Sequence, residues 1–312
     1  MPFFSKLFKF QDYTGAMREL YILPFDHRGS FMQIIKAASP PSEADITNAR
    51  EYKKIIYDAF RKSIAGGVPK EKAGILVDEW LGREILIDAK RQGFITCTPL
   101  EKSGQDEFEF DREDWKEQLK ELGPNYAKVL VRYNPEGDEE INLKQTEKLA
   151  ELSSYLETQP YRFLFELLVP ATKEQLSAVG TNEAYEKDTR PGLTVEALRQ
   201  LQESGINPDI WKLEGVDTDE SMQMVSEQVK AGNPDAGIII LGRGESAEKA
   251  EHWLRIGAKA DNAIGFAVGR TVFKEALEQH AAGKTTREQA VNKISENYSF
   301  FVDVWKKVKS KI

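Results

Sequence analysis

The sequence predicts a (β/α)8 barrel, and three observations lead to that fold class. Short apolar segments alternate with amphipathic segments about eight times along the 312 residues. The apolar segments are almost continuously hydrophobic, which is typical of parallel strands that are covered on both faces. The connections are short, and eight strand–helix units over about 250 residues match the size of such a barrel. A doubly wound open sheet is the alternative that this pattern leaves open.

Each predicted strand is a run of bulky apolar residues that ends at glycine, proline or a polar residue. The first run, ELYILPF, stops before Asp26, and the fourth, AKVLVRY, carries two basic residues. The sixth, DIWKLE, lies between Pro208 and Gly215. In order, the predicted strands cover residues 19–25, 74–77, 94–100, 127–133, 163–169, 209–214, 237–241 and 263–268.

Each predicted helix has apolar residues at helical spacing and a start or stop signal. Gly66 ends the first helix, Gly123 ends the third, and Thr194 is predicted to cap the helix before the sixth strand. Residues 171–192 are expected to form a longer connection with a short helix. The predicted helices cover residues 47–65, 82–91, 115–122, 143–156, 194–203, 218–232, 247–255, 269–282 and 285–309.

We expect one domain over residues 1–312, because no repeat, low-complexity tract or proline-rich linker interrupts the chain. Residues 1–18 begin with an apolar and basic stretch that Lys6 and Lys9 interrupt, which does not suit a signal peptide. We expect an arm that packs on the body or on a partner subunit. Residues 285–312 are predicted to add an extra C-terminal helix, and both extensions are compatible with a homo-oligomer.

The composition excludes several classes of function. Charged residues make up 30% of the chain and the net charge is −8, so nothing favours binding to nucleic acid. No run of about 18 apolar residues is available to cross a membrane. Cys97 is the only cysteine, so no intrachain disulfide is expected, and a reducing cytoplasm fits.

Polar side chains follow the predicted strands at the end where barrels carry their active sites. Lys128, Glu166 and Lys212 interrupt otherwise apolar strands, and an unpaired buried charge is costly. We therefore expect these groups to pair and to shift one another's proton affinity, as acid–base groups do; a buried ion-pair network without chemistry is the alternative. The candidate residues at these strand ends are Asp26, His27, Arg28, Asp78, Glu79, Lys128, Arg132, Glu166, Lys212, Glu214, Arg243 and Arg270.

Lys212 lies in the middle of an apolar strand. Burial disfavours an ammonium, and a neutral amine is the nucleophile that forms Schiff bases with carbonyl compounds. The alternative is a lysine that extends out of the strand end or pairs with Glu214.

Two glycine turns, Gly242-Arg243-Gly244 and Gly269-Arg270-Thr271, follow the last two strands. Barrels commonly bind phosphate there, because glycines admit the anion to backbone N–H groups and arginine offers a two-pronged contact. Ordinary tight turns with surface arginines are the alternative. A histidine-rich metal site is not expected from three histidines, although Asp78 and Glu79 leave a Mg²⁺ site open. We therefore predict a site without metal or cofactor.

Four segments resemble the class I, Schiff-base aldolases of the tagatose-bisphosphate aldolase type. They are the segments ILPFDHRGS (22–30), FLFELL (163–168), WKLE (211–214) and GRT (269–271). The resemblance runs from about residue 18 to 283 and is closest to the C-terminal domain of bifunctional inositol-catabolism kinases. It implies a metal-independent aldolase that splits 5-dehydro-2-deoxy-6-phosphogluconate into dihydroxyacetone phosphate and malonate semialdehyde.

The resemblance also implies a role for each matching residue. Lys212 would form the Schiff base, Glu166 would move protons, and Lys128 and Asp26 would position the substrate and tune Lys212. Arg270, with Gly242, Arg243 and Gly269, would hold the phosphate, and His27, Arg28, Asp78 and Arg132 would complete the substrate site.

This sequence departs from the family pattern at two of these positions. The family usually has glutamine in place of His27 and a small hydroxyl residue in place of Arg243. A tagatose- or fructose-bisphosphate aldolase, a sulfofructose-phosphate aldolase and a non-catalytic sugar-phosphate-binding regulator therefore remain as alternatives.

Overall fold

The computed structural model describes residues 19–311, and its centre is a closed barrel of eight parallel strands. Neighbouring strands in the chain are neighbours in the barrel, and β1 closes it against β8. The predicted fold class is therefore confirmed. The strands are Leu20–Pro24 (β1), Ala73–Leu76 (β2), Ile95–Pro99 (β3), Tyr126–Arg132 (β4), Arg162–Leu168 (β5), Ile210–Glu214 (β6), Gly237–Leu241 (β7) and Ala263–Ala267 (β8).

Helices surround this barrel and connect its strands. Each strand from β2 to β7 is followed by at least one helix before the next strand begins. The helices are Gly29–Ile34 (α1), Glu43–Ala65 (α2), Glu79–Arg91 (α3), Trp115–Leu122 (α4), Glu139–Glu157 (α5), Lys173–Val179 (α6), Asn182–Ala184 (α7), Arg190–Glu203 (α8), Asp219–Gly232 (α9), Ala247–Gly257 (α10), Arg270–Ala281 (α11) and Arg287–Lys309 (α12). A single turn of π-helix, Tyr185–Thr189, joins α7 to α8.

Several helices begin earlier than predicted, and the starts of α2 and α8 show the local reasons. Helix α2 begins four residues earlier than predicted, because Ser42 and Asp45 form a reciprocal capping box. Thr194 does not cap α8, which begins at Arg190; instead its hydroxyl donates to the backbone oxygen of Arg190 at 2.9 Å. Pro191, one residue after Arg190, suits a first turn because that turn needs no donor from it.

The barrel interior is apolar in the half where the strands begin. Side chains that point inward alternate along each strand, so apolar side chains fill this half of the barrel. Continuing that alternation toward the strand ends leads from Tyr126 to Lys128, from Leu164 to Glu166 and from Ile210 to Lys212. The buried apolar cluster contains Leu20, Ile22, Leu76, Cys97, Tyr126, Leu164, Ile210, Ile239, Ile264 and Ala267.

The predicted extra helix is present as α12 and packs mainly on α2 and α11. Its Tyr298 hydroxyl donates to the backbone oxygen of Tyr21 at 2.8 Å, which ties the helix to β1. The predicted arm over residues 1–18 lies outside the described residues. None of the described helices is both long enough and apolar enough to cross a membrane.

Candidate active site

Lys212 lies inside the barrel rather than on its outer wall. Strand β5 pairs with β6 so that Glu166 stands beside Lys212. The Nζ atom of Lys212 is 2.9 Å from Oε1 of Glu166, and the residue is only 4% exposed. The alternative of a lysine that extends into solvent is therefore wrong. The alternative of a pair with Glu214 is also wrong, since Glu214 binds the backbone N–H of Val169 and the side chain of Arg243.

Lys128 occupies the centre of three carboxylates. Its Nζ atom lies 2.6 Å from Glu101 Oε1, 2.9 Å from Glu166 Oε2 and 3.0 Å from Asp26 Oδ2. Its ammonium donates hydrogen bonds to Asp26 and Glu101 and forms an ion pair with Glu166. Glu166 uses its other oxygen for Lys212, so a continuous chain of contacts joins β1, β3, β4, β5 and β6.

Glu101 belongs to this cluster, although it is not among the candidate residues predicted from the sequence. It lies two residues beyond the end of β3 and is 5% exposed. Cys97 on the same strand points into the barrel, and every second residue after Cys97 shares that direction. Counting the alternation onward from Cys97 would have placed Glu101 inside.

Lys53 is a second residue that the sequence analysis missed. It is fully buried in the middle of α2, where its ammonium pairs with Asp78 and donates to the backbone oxygen of His27 at 3.1 Å. Asp78 also caps α3 by accepting from the backbone N–H of Leu81 at 2.9 Å. Each carboxylate oxygen of Asp78 therefore has one partner within the protein, and a direct contact with substrate stays a prediction. Asp78 and Lys53 also support the backbone of the loop after β1.

Arg28 and Arg132 both bind the loop that follows β3. Arg28 donates to the backbone oxygen of Glu101 at 2.5 Å and pairs with Asp111 at 3.1 Å. Arg132 donates to the backbone oxygen of Gln105. Both arginines therefore hold that loop over the end of the barrel.

The glycine turns after β7 and β8 contact each other. Arg270 donates to the backbone oxygen of Arg243 at 2.6 Å. Arg243 itself adopts a left-handed conformation, with φ of 52°, and its guanidinium pairs with Glu186 and Glu214. Gly269 has no room for a side chain, because a Cβ atom would lie 2.3 Å from the backbone oxygen of Pro24.

The close contacts shift the proton affinities in the cluster. Burial alone would lower the pKa of Lys128, but Asp26, Glu101 and Glu166 outweigh it and raise that pKa well above its ordinary value. Burial would raise the pKa values of Asp26 and Glu166, but the charges of Lys128 and Lys212 bring both below their usual range. For Glu101 burial prevails, and its pKa is raised despite Lys128. The carboxylates are therefore not equivalent, and Glu101 is the one that binds a proton most readily.

His27 lies between the Lys128 cluster and the glycine turns after β7 and β8. Burial lowers its pKa to about 4, an effect that Asp26 opposes and Arg270 reinforces. Its imidazole is therefore neutral at neutral pH. Its Nδ1 atom is buried and has no hydrogen-bond partner among residues 19–311, and the ring meets the edge of Phe273.

The donors at this site suit acid–base and amine chemistry. In the part of the chain that the structure describes, no group of three or more His, Cys, Asp or Glu side chains is arranged to hold a metal ion. The ammonium of Lys128 fills the position between the three carboxylates that a cation would take.

A family model described as "Uncharacterized protein conserved in bacteria (DUF2090)" matches residues 4–309. The chain belongs to the DUF2090 family. That family description names no activity. The residues of the site are therefore the basis for a proposed function.

Curated relatives of the DUF2090 chain include two tagatose 1,6-diphosphate aldolases. The protein from Lactococcus lactis subsp. lactis is 24% identical over 216 residues, which is 67% of this chain and 61% of the relative. The aldolase 1 of Streptococcus pyogenes serotype M1 is 24% identical over 198 residues, 62% of this chain and 57% of the relative. The matched part thus spans about three-fifths of each relative.

Solved structures with the same fold include three fructose-bisphosphate aldolases. A Schiff-base-forming enzyme has a TM-score of 0.56 at 15% identity and covers 89% of this chain and 97% of its own. An archaeal enzyme with the carbinolamine on its catalytic lysine has 0.57 at 13%, with 92% and 93% covered. The Plasmodium falciparum enzyme in complex with TRAP and an inhibitor has 0.63 at 14%, with 93% and 91% covered. At these identities the likeness shows the barrel fold alone.

Proposed function

We propose that this protein is a class I aldolase that cleaves a phosphorylated keto sugar through a Schiff base on Lys212. One observation carries the proposal: Glu166 bridges Lys212 and Lys128 at 2.9 Å each, inside the end of the barrel where the strands finish. An amine, a carboxyl group and a second ammonium in mutual contact are the groups that imine chemistry requires. The names of the curated relatives and of the structural neighbours agree with this proposal.

The proposed reaction begins when the Glu166 carboxylate takes a proton from Lys212. The neutral Lys212 amine then attacks the ketone carbon of the substrate and forms a carbinolamine. Glu166 then protonates the departing hydroxyl group, which leaves as water, and a protonated imine remains. The resulting Glu166 carboxylate removes the proton from the hydroxyl beside the scissile bond. That carbon–carbon bond breaks, its electron pair moves into the imine to give an enamine, and the aldehyde departs. Protonation of the enamine carbon and hydrolysis of the imine release the ketone and restore Lys212.

The other residues of the cluster would stabilise charge and position the substrate during these proton transfers. Lys128 would stabilise negative charge on the substrate oxygens, because its ammonium stays protonated beside three carboxylates. Asp26 would remain ionised and help to position both the substrate and Lys212. His27, Arg28, Asp78 and Arg132 would line the substrate site, and Asp78 would also act through Lys53.

Arg270 and the turns at Gly242, Arg243 and Gly269 would hold the phosphate. Arginine binds phosphate through paired hydrogen bonds. Gly269 keeps the turn after β8 packed closely against the backbone of Pro24, where a Cβ atom would not fit. The hydrogen bond from Arg270 to Arg243 brings the two turns together. A phosphate held here would fix the ketone carbon relative to Lys212, and remote binding energy of this kind orients the bond that breaks.

For the substrate itself we propose 5-dehydro-2-deoxy-6-phosphogluconate, with dihydroxyacetone phosphate and malonate semialdehyde as products. Tagatose and fructose bisphosphates and sulfofructose phosphate are the alternatives on the same chemistry. A panel of these four compounds, assayed with EDTA present, distinguishes them by kcat/KM and also tests whether the reaction needs a metal.

Trapping with borohydride tests the proposed Schiff base directly. Dihydroxyacetone phosphate plus borohydride should attach irreversibly to one lysine, and peptide mass mapping should place the adduct on Lys212. The variant Lys212→Ala should give no adduct and lose at least about 10⁴-fold in kcat. Lys120→Ala, which removes an exposed lysine on α4, serves as the control and should behave like the unaltered protein. Normal cleavage by Lys212→Ala would overturn the proposal, and ligand binding without any turnover would favour the non-catalytic regulator.

A further inference from the structure

Glu101 has a carboxylate oxygen that the protein leaves unused. Its Oε1 atom accepts from Lys128 at 2.6 Å, whereas its Oε2 atom is buried and has no hydrogen-bond partner within residues 19–311. A buried polar atom without a partner costs free energy, so such atoms often indicate a missing ligand or proton. The proposed mechanism does not use this residue.

The backbone around Glu101 is held firmly in place. Arg28 donates to the backbone oxygen of Glu101 at 2.5 Å, and Glu101 forms an antiparallel bridge with Phe110. The neighbouring backbone N–H of Leu100 donates to the backbone oxygen of Lys128 at 2.9 Å. Because the loop is fixed on both sides, the carboxyl group cannot easily turn away to find another partner.

The charges in the cluster favour one extra proton. Once Glu166 has taken the proton of Lys212, as nucleophilic attack requires, Asp26 and Glu101 still share the ammonium of Lys128. One uncompensated negative charge in a buried site is costly, and one further proton removes it. Among the three carboxyl groups only Glu101 has a raised pKa, so it is the one that would hold the proton. A protonated Glu101 would present an O–H donor to the site.

Glu101 also lies on the side of the barrel away from the glycine turns. In the closed order of eight strands, β3 stands across the barrel from β7, and β4 stands across from β8. If the phosphate binds after β7 and β8 and the ketone carbon meets Lys212 on β6, the rest of the substrate extends toward β3 and β4. That part becomes the aldehyde product.

We propose that Glu101 is a substrate-binding residue for the aldehyde half, where its free oxygen forms a hydrogen bond with an oxygen substituent beyond the reacting carbonyl group. The inference rests on the proposed aldolase function and adds a preference to it. Aldehydes with a hydroxyl or other oxygen at this position are selected over plain alkyl aldehydes.

Running the reaction in the direction of synthesis tests this preference. Dihydroxyacetone phosphate is condensed either with glyceraldehyde or with propanal, which lacks the hydroxyl groups. Glu101→Ala should lower kcat/KM for glyceraldehyde about 10- to 100-fold and change that for propanal less than about 3-fold. Glu101→Gln keeps a hydrogen-bonding group of the same length and should stay within about 5-fold of the unaltered protein for both aldehydes.

Borohydride trapping of dihydroxyacetone phosphate alone is the matched control, because this ketone lacks the aldehyde half. Glu101→Ala should still trap dihydroxyacetone phosphate, which also shows that the variant is folded. An equal loss with both aldehydes, or a loss of trapping, would mean that Glu101 only positions Lys128, and would overturn the inference. Trapping without condensation of glyceraldehyde by the unaltered protein would overturn it too, while leaving the Schiff base intact. Absence of any trapping would instead overturn the proposed function.

Discussion

The two ends of the predicted site are built in different ways. Between β3 and β6, Lys128 and Lys212 are almost completely buried and touch carboxylates directly, at distances of 2.6 to 3.0 Å. After β7 and β8, the side chain of Arg243 is 36% exposed, and Arg270 is tied to the protein through a backbone oxygen. The first end, between β3 and β6, is a buried cluster of ion pairs. The second end, after β7 and β8, is a solvent-accessible surface with two arginines.

This difference suggests that the buried cluster carries out the chemistry and that the exposed arginines bind the substrate. A buried cation that satisfies three carboxylates cannot be removed without leaving charges unpaired, and such fixed, desolvated groups can move protons in a controlled way. Half-exposed arginines exchange their partners at little cost, because solvent screens each contact. We therefore expect substitutions at the first end to affect both stability and kcat, and those at the second end to affect mainly substrate affinity.

The largest effect is expected for Lys128→Met, which removes the shared cation. Three buried carboxylates lose their partner, so the free energy of unfolding at pH 7 should fall by about 3–5 kcal/mol. Without Lys128 their pKa values rise, so part of this loss should be recovered as the pH falls toward 5. We expect kcat to fall by at least about 10²-fold. Urea unfolding at both pH values and steady-state kinetics measure the three effects.

Lys120→Met is the matched control for that variant. Lys120 pairs with Glu117 at 3.2 Å on the surface of α4, and both side chains are about 60% exposed. An exposed pair of this kind contributes less than about 1 kcal/mol. If Lys128→Met lost no more stability than Lys120→Met, the two ends of the site would not differ in the way described.

A smaller effect, confined to substrate affinity, is expected for Arg270→Ala. Charge-assisted hydrogen bonds to phosphate contribute about 1.5–3 kcal/mol, so the concentration of dihydroxyacetone phosphate that gives half-maximal trapping should rise about 10- to 100-fold. Stability should change by less than about 1 kcal/mol. Arg243→Ala is the comparison, and its effect should be within about 3-fold because Glu186 and Glu214 already neutralise this guanidinium. A larger effect from Arg243 than from Arg270 would reverse the assignment of the phosphate contact.

The fold was predictable because its signal is local. Runs of apolar residues between glycine, proline and polar residues mark each strand, and β7 was predicted with its observed bounds. The starts of α2 and α8 were harder to predict from the sequence, because a capping box and a preceding π-helical turn determine them. These features depend on single hydrogen bonds rather than on periodicity.

The central site residues were predictable for a similar reason, and the missed ones were not. Lys128, Glu166 and Lys212 stand out because each interrupts an apolar strand. Lys53 sits among charged residues of a long helix, where the sequence gives no sign that it is fully buried. Glu101 follows its strand into a loop rich in acids, so its inward direction shows only when the alternation is counted past the strand end.

An effect that depends on pH is expected at His27, where the two ends of the site meet. Its pKa is lowered to about 4 by burial, against an ordinary value of 6.5. Between these values the unfolded chain binds a proton that the folded protein does not, so the free energy of unfolding falls as the pH falls. From pH 6.5 to 5 the contribution of His27 to that fall should be about 1.6 kcal/mol. His27→Gln keeps a polar side chain but cannot titrate, and the remaining groups are common to both proteins. The difference in unfolding free energy between the two, measured in urea at pH 6.5, 5.75 and 5, should therefore shift by about 1.6 kcal/mol in favour of the variant as the pH falls. A constant difference would show that the imidazole of the folded protein is open to protons, and that Asp26 rather than burial governs its charge.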